Sequence, residues 1–263
     1  VQTCALPIYA IIQHGTMTLI RKTALQGTGG WAEWCICEDA ELGLRLFENG
    51  YEAVYMSDSM GRGLMPDNFS AYKTQRFRWA YGAAQILKRH WRDLAEGNRL
   101  TRGQKYHFIS GWLPWFADAA HVVFAGAAIV WSVLLLLKWV EFPPSVFLVP
   151  TLSVFVFKVS AAFLLYRARI KCGWQDRLGA AIAGMALSHA VARAMWQGMF
   201  TSGKPFFRTP KCADKPAAIQ AILMAREELG LLLALVTCAA LVLNKFEVEN
   251  QNAVLWAGML MVQ

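Results

Sequence analysis

Ala119-Ala120-His121-Val122-Val123-Phe124-Ala125-Gly126-Ala127-Ala128-Ile129-Val130-Trp131-Ser132-Val133-Leu134-Leu135-Leu136-Leu137 is a run of 19 residues without a formal charge. As a helix it is long enough to cross a hydrocarbon core about 30 Å thick. Working outward from it, Trp112 marks the point where the chain turns apolar. The run predicts a span over about 115–137. Further spans are expected over about 143–166, interrupted by Lys158, over 229–243, and over 253–263, where the sequence stops inside an apolar stretch. Hydrophobic residues make up 56% of the 263, with a mean hydropathy of +0.32. That excludes disordered, collagenous and disulfide-scaffold proteins and argues against an ordinary soluble enzyme. The net charge of +8 comes from 26 Lys and Arg against 18 Asp and Glu, dispersed on both sides of Trp112. A nucleic-acid binder gathers its charge on one strip, so no nucleic-acid partner is expected. Basic residues between apolar runs suit a protein threaded through a lipid bilayer.

Loop charge decides how the ambiguous stretch around 175–200 lies. His189, Arg193 and Gln197 recur at four-residue spacing, giving a helix with one polar face. If this helix crossed the bilayer, Lys204, Arg208, Lys211, Lys215 and Arg226 would face the opposite side from Arg167, Arg169, Lys171 and Arg177. Lying in the cytoplasmic interface, it leaves both basic loops inside and only Lys138 and Lys245 outside. The interfacial placement is the expectation. Asp118, His121 and Lys158 lie within or beside the spans and admit two readings, lining a polar path or sitting near an interface. Trp112, Trp115, Trp131 and Trp139 likewise fit either a sugar-stacking or a membrane-belt role.

Residues 1–111 read as a mixed α/β segment. His14 to Ile20 and Tyr51 to Met56 have strand composition, and Gly27-Thr28-Gly29-Gly30 is a loop. Glu38 to Phe47 is a helix with Leu42, Leu46 and Phe47 on one face, stopped by Asn49-Gly50. Pro66-Asp67-Asn68 offers an N-cap for a helix from Phe69 to about Trp91. The six cysteines form no C-x-x-C pair; Cys35 and Cys37 are the closest, and no metal site is expected from them. The sequence begins at Val1 and is expected to be an internal fragment, with no weight given to residues 1–8.

Two short motifs carry chemistry. Asp39 opens a helix, where the positive end of the peptide dipole favours an ionised carboxylate, the state a general base requires. Helix capping by Asp39 or Glu38 is the plain alternative. Gln75-Arg76-Phe77-Arg78-Trp79 places two guanidinium forks, suited to a diphosphate, and an indole, suited to a sugar face, within little more than one helical turn. A solvated cation beside a core aromatic is the corresponding alternative.

Together these motifs resemble the processive family 2 glycosyltransferases of the cellulose synthase type. Cys37-Glu38-Asp39-Ala40-Glu41-Leu42 is similar to that family's T-E-D-x-D-L, with Cys37 in the threonine position and Glu41 in the second aspartate position. Gln75 to Trp79 fits its Q-x-x-R-W. His14-Gly15-Thr16 followed by Arg21 resembles the segment lining the acceptor end of the family's site. Phe206-Phe207-Arg208-Thr209-Pro210-Lys211, within 201–212, resembles its gating loop F-x-V-T-x-K, with Arg208 replacing the valine. The run Gly63 to Thr74 looks more like bacterial β-(1,3)-glucan synthases than cellulose synthases.

The resemblance implies an α/β fold for 1–111, the C-terminal half of a cytoplasmic GT-A type glycosyltransferase domain, followed by an α-helical membrane region over 112–263. It implies that Asp39 is the catalytic base of an inverting transfer to a growing polysaccharide acceptor from a nucleotide-sugar donor, UDP-glucose being the expected one. Glu38, His14, Gly15 and Thr16 would border the acceptor, Gln75, Arg76 and Arg78 would hold the diphosphate, and Trp79 would stack on the acceptor sugar. Thr209 and Lys211 would close over the nucleotide. Mg²⁺ or Mn²⁺ is implied too, held by an upstream D-x-D that this sequence lacks, so the fragment alone is expected to be inactive. The implied setting is a bacterial inner membrane, where the polymer is made on the cytoplasmic face and exported. Synthases of cellulose, glucomannan or an N-acetylglucosamine polymer are alternatives. A transporter or scaffold would not require both motifs.

Overall fold

The computed structural model describes residues 13, 15, 17–56, 61, 63, 66, 68–97, 99–144, 172–201 and 225–263, with helical residues interspersed between 149 and 168. These residues are helical or irregular; among them there is no strand and no sheet. This overturns the α/β GT-A expectation. Of the two runs read as strands, 17–20 and Tyr51 to Met56 are irregular, with Leu19, Val54 and Met56 exposed. The physical reason is that β-propensity measures fit to a pleated surface, and a strand exists only where a neighbour pairs its N–H and C=O groups. Neither run has such a neighbour among the described residues.

The chain forms two compact units. The first comprises the described residues of 1–119 and 190–216. It begins with α1 (Lys22–Gly27) and α2 (Glu38–Glu48). Glu38, Asp39 and Glu41 lie in the first turn of α2, where they complement the dipole. Gly50, at φ +79°, accepts a left-handed turn just past the helix end. The long α3 (Phe69–Ala95) is capped as the sequence predicts, with Asn68 Oδ1 accepting from Ala71 N at 2.8 Å. α4 (Arg102–Leu136) starts well before the apolar run. Thr101 and Gln104 exchange side-chain to backbone hydrogen bonds at 2.9 and 3.2 Å across its first turn, the reciprocal capping arrangement that satisfies two exposed N–H groups.

Gln104, Phe108 and Trp112, four residues apart on α4, are buried in this unit, and Phe108 and Trp112 pack with Leu44, Phe47 and Ile86 from α2 and α3. A second apolar cluster joins Tyr81 and Ala84 of α3 to Val191, Ala194 and Met195. These last three belong to α6 (Ser188–Phe200), which follows α5 (Trp174–Ala186) after a break at Leu187. Trp196 donates from Nε1 to the Ala119 carbonyl at 3.0 Å.

The second unit comprises the described residues of 120–189 and 217–263. It contains α7 (Arg226–Phe246) and α8 (Gln251–Val262), with a core built on Leu135, Leu235, Val242, Trp256 and Leu260. Trp256 Nε1 donates to Ser132 Oγ at 2.9 Å, and that hydroxyl donates to the Ala128 carbonyl at 2.7 Å, so the buried polar atoms of this apolar core are satisfied.

Among the described residues three helical stretches are long and apolar enough to span a membrane: Arg102–Leu136, Trp174–Phe200 and Arg226–Phe246, whose 18-residue apolar windows have mean hydropathies of 2.2, 1.3 and 2.1. The first covers all but the last residue of the run expected over 115–137, and the third contains the run expected over 229–243. α8 is a shorter apolar helix. In the run expected over 143–166, residues 143–144 are irregular and the residues described from 149 onward are helical; Lys158 lies outside the described residues.

Candidate active site

The site is assembled where the start of α2 meets the middle of α3. Gln85, buried on α3, clamps the turn that leads into α2: its Oε1 accepts from Ile36 N at 3.2 Å and its Nε2 donates to the Trp34 carbonyl at 3.1 Å. One helical turn earlier on α3, Cys37 rests on Gly82. A Cβ at Gly82 would lie 2.4 Å from Cys37 Sγ and 2.7 Å from its Cβ. Cys37 Sγ is also 3.7 Å from the Arg78 carbonyl and 3.9 Å from the Trp79 carbonyl, with geometry suited to donation to either. The first turn of α2 is thereby held against the Arg78–Gly82 turn of α3.

Burial and the neighbouring carboxylates push the Cys35 thiol up to about 12 and that of Cys37 higher still. Both are packing groups at neutral pH, not thiolate nucleophiles. Gly82→Ala is expected to cost about 1–3 kcal/mol through overpacking against Cys37. It should also lower activity more than surface Gly→Ala controls do, read by thermal melting and product assay of the same preparations.

Asp39, in the first turn of α2, accepts from Ala40 N at Oδ1 (2.8 Å). Its other oxygen faces Gly15, where a Cβ would come within 3.0 Å of Oδ2. The structure thus brings Gly15 to Asp39. The N-cap is Cys37, with no side-chain cap. Glu38 is half-buried beside Asp39. His14 and Thr16, which flank Gly15 in the sequence, lie outside the described residues, as do Thr209 and Lys211.

On α3, Gln75 and Arg78 are half-buried. The Arg76 guanidinium is held between two rings, 5.0 Å from the Tyr72 centroid and 4.7 Å from that of Trp79, an arrangement that orients a planar cation. Its buried Nε has no hydrogen-bond partner among the described residues. Trp79 remains 40% exposed with Arg76 over its ring.

Behind the site lies a buried ion cluster that the motif reading misses. Glu41 is 1% exposed; both its oxygens accept from Arg45 Nε at 2.8 Å, and Oε1 pairs with His90 Nε2 at 3.2 Å. His90 Nδ1 lies 3.5 Å from Glu48 Oε1. Arg45 reaches on to the carbonyls of Thr28 and Gly30, the latter at 2.7 Å. It fixes a loop whose Gly29 and Gly30 take φ of +86° and +76°, values that favour glycine. Desolvation opposes charge on Glu41, yet hydrogen bonds from His90 and Arg45 outweigh it and hold the carboxyl below its ordinary value. For His90, burial alone would lower the pKa, but the bonds to Glu41 and Glu48 raise it to about 9 from 6.5.

A folded-state pKa above the unfolded one gives stability that is complete below about 6.5 and lost as pH rises through about 9. We therefore expect a reversible loss of up to about 3 kcal/mol between pH 7 and 10. Dye-reported melting in detergent checks this, with a His90→Asn variant expected to show a flatter profile.

Glu48, His90 and Asp93 bring ligand-type atoms within 4.8 Å of one another. This cluster does not fit Mg²⁺ or Mn²⁺, which take oxygen ligands; it is centred on an imidazole already ion-paired on both nitrogens.

Comparison with known proteins places these residues in a family. Residues 4–166 match the family described as Glycosyl transferase family group 2. The chain is 29% identical over 96 residues to a probable glucomannan 4-β-mannosyltransferase 2 of Oryza sativa subsp. japonica, covering 36% of the chain and 17% of that protein. It is 27% identical over 110 residues to glucomannan 4-β-mannosyltransferase 1 of the same organism, covering 42% and 21%. It is 31% identical over 109 residues to the cellulose synthase catalytic subunit (UDP-forming) of Xanthomonas axonopodis pv. citri (strain 306), covering 41% and 15%. The chain thus spans about a fifth or less of the length of these relatives. With the match covering well over half of its residues, the chain belongs to glycosyl transferase family group 2.

Proposed function

We propose that this chain supplies the acceptor-activating and diphosphate-holding part of a membrane-embedded inverting glycosyltransferase that polymerises a β-glucan from UDP-glucose. The observation that carries the reading is the junction of α2 with α3, which joins the Asp39 turn to the Arg78–Trp79 turn through Cys37 and Gly82. The Asp39 carboxylate takes the proton of an acceptor hydroxyl as that oxygen attacks the anomeric carbon. The bond from that carbon to the diphosphate breaks, and the nucleoside diphosphate leaves with the electron pair. Arg78, with Arg76 and Gln75, stabilises the charge that develops on the diphosphate, a preorganised electrostatic role. Trp79 presents its ring to the acceptor sugar; His14 and Thr16 border the acceptor with Gly15 and Glu38, and Thr209 and Lys211 close over the nucleotide. The divalent cation implied by the resemblance finds no fitting ligand set among the described residues, and no step here is derived through it.

The three membrane-length helical stretches and the basic loops support a multi-pass protein of a bacterial inner membrane, with Trp174–Phe200 in the cytoplasmic interface and the polymer exported through the bilayer. The lower hydropathy of that stretch favours this placement. The relatives' names favour a second reading, a β-(1,4)-linked mannan, glucomannan or cellulose product.

The test is to supply labelled UDP-glucose, GDP-mannose or UDP-N-acetylglucosamine to membranes containing the full-length protein and to digest the product with linkage-specific glucanases. A polymer from UDP-glucose cut by endo-β-(1,3)-glucanase supports the proposal. A polymer cut only by β-(1,4)-specific enzymes, or made only from the mannose donor, supports the second reading. No polymer from any donor favours a transporter or scaffold.

A further inference from the structure

We propose that His90 is a positioning residue for the transfer: through Glu41 and Glu48 it fixes the rotation of α2 about its own axis and so sets where the Asp39 carboxylate is held beside Gly15. The inference rests on the reading of Asp39 as the base. Glu41 and Glu48 are seven residues apart and therefore within about 20° of each other around a helix. Asp39, two residues before Glu41, points about 160° away on the opposite side, consistent with its carboxylate facing Gly15 while Glu41 faces α3.

One imidazole that pairs through Nε2 with Glu41 at 3.2 Å and lies through Nδ1 3.5 Å from the Glu48 carboxylate resists rotation of α2 in either direction. The pairing is protected from water: the side chains of His90, Glu41 and Glu48 are 10%, 2% and 6% exposed. The start of α2 is held separately by Gln85 and by the Cys37–Gly82 contact, so His90 supplies the second fixed point. A carboxylate about 5 Å from a helix axis moves roughly 1 Å for every 12° of rotation, and a misplacement of about 1 Å at a reacting group is worth on the order of 100-fold in rate.

Other charged or polar groups face the imidazole. Arg45 of α2 reaches it through Glu41, Arg89 and Asp93 flank it on α3, and the Trp34 ring lies 6.3 Å away in the loop before α2. Arg45 leaves Glu41 a partner when His90 is altered, so the loss of His90 frees the rotation without stranding that carboxylate.

The experiment compares wild type, His90→Gln and His90→Phe in the full-length protein in membranes. It measures kcat, donor KM and the pH profile of kcat, with folded protein quantified by detergent size-exclusion. Glutamine retains a donor toward Glu41 and loses the ion pair with Glu48; phenylalanine loses both. The expected result is kcat lowered about 10-fold in His90→Gln and about 100-fold in His90→Phe per folded molecule, with donor KM within about threefold. Wild-type kcat is expected to fall as pH rises through about 9 and the His90 pairing is lost, and this fall should be absent in both variants. Unchanged kcat per folded molecule in His90→Phe, or a loss confined to KM, overturns the proposal. So does loss of folded protein in both variants with wild-type kcat in what remains. Asp39→Asn in parallel separates the two readings: full activity there removes the base assignment itself, whereas an inactive Asp39→Asn beside a fully active His90→Phe removes only the positioning role.

Discussion

Asp39→Asn is expected to lower polymer formation by about 10³-fold or more while the protein stays folded and still binds the nucleotide-sugar. Asparagine is nearly isosteric, so its amide oxygen can accept from Ala40 N as Oδ1 does at 2.8 Å, and the packing beside Gly15 changes little. What disappears is the capacity to take a proton. General-base catalysis contributes typically 10²–10⁴-fold, and the effect should fall on kcat with donor KM nearly constant. Initial rates of labelled polymer formation at saturating donor check this. Wild-type kcat in the variant would reduce Asp39 to a residue that supports the helix start.

Glu41→Ala carries the largest expected loss of stability, about 3–5 kcal/mol, the range for removing one partner of a buried ion pair. The carboxylate accepts from Arg45 and pairs with His90 while 1% exposed, so its removal leaves two cations facing each other. It also frees the Arg45 fork that holds the Thr28 and Gly30 carbonyls. Glu41→Gln keeps an acceptor for Arg45 and is expected to lose less. Melting of the purified full-length protein in detergent measures both. A midpoint for Glu41→Ala within a degree of wild type would show that the cluster is not a stability element.

The long apolar helices were legible because an uncharged run has few alternatives. α2 and the cap of α3 were legible because Glu38, Asp39, Asn49-Gly50 and Asn68 act locally on their own helix ends. Two kinds of feature were not. The strand reading of Tyr51 to Met56 rested on composition, and composition carries no information about whether a partner strand lies alongside. The early start of α4 was hidden because Arg102 to Ser110 looks polar, although Gln104, Phe108 and Trp112 recur every four residues and are the residues that become buried.

At the candidate site, Asp39 and the Gln75–Trp79 run could be read as motifs, but their meeting could not. It depends on Gly82, whose only signal is a glycine tolerated inside a helix, and on Gln85. Glu41 and His90 are 49 residues apart, and nothing in the sequence links them. A buried pair is specified by the packing of two helices, not by spacing.

The central claim is that the Asp39 turn and the Arg78 turn form one catalytic site. It is tested most directly by single-turnover glucosyl transfer from UDP-glucose in membranes carrying the full-length protein as wild type, Asp39→Asn, Arg78→Ala or the double variant. Residues acting as one unit give non-additive losses. The predicted result is that Asp39→Asn and Arg78→Ala are each slowed at least 100-fold and that the double variant is about as slow as the slower single one. A wild-type transfer rate in either single variant would contradict the account.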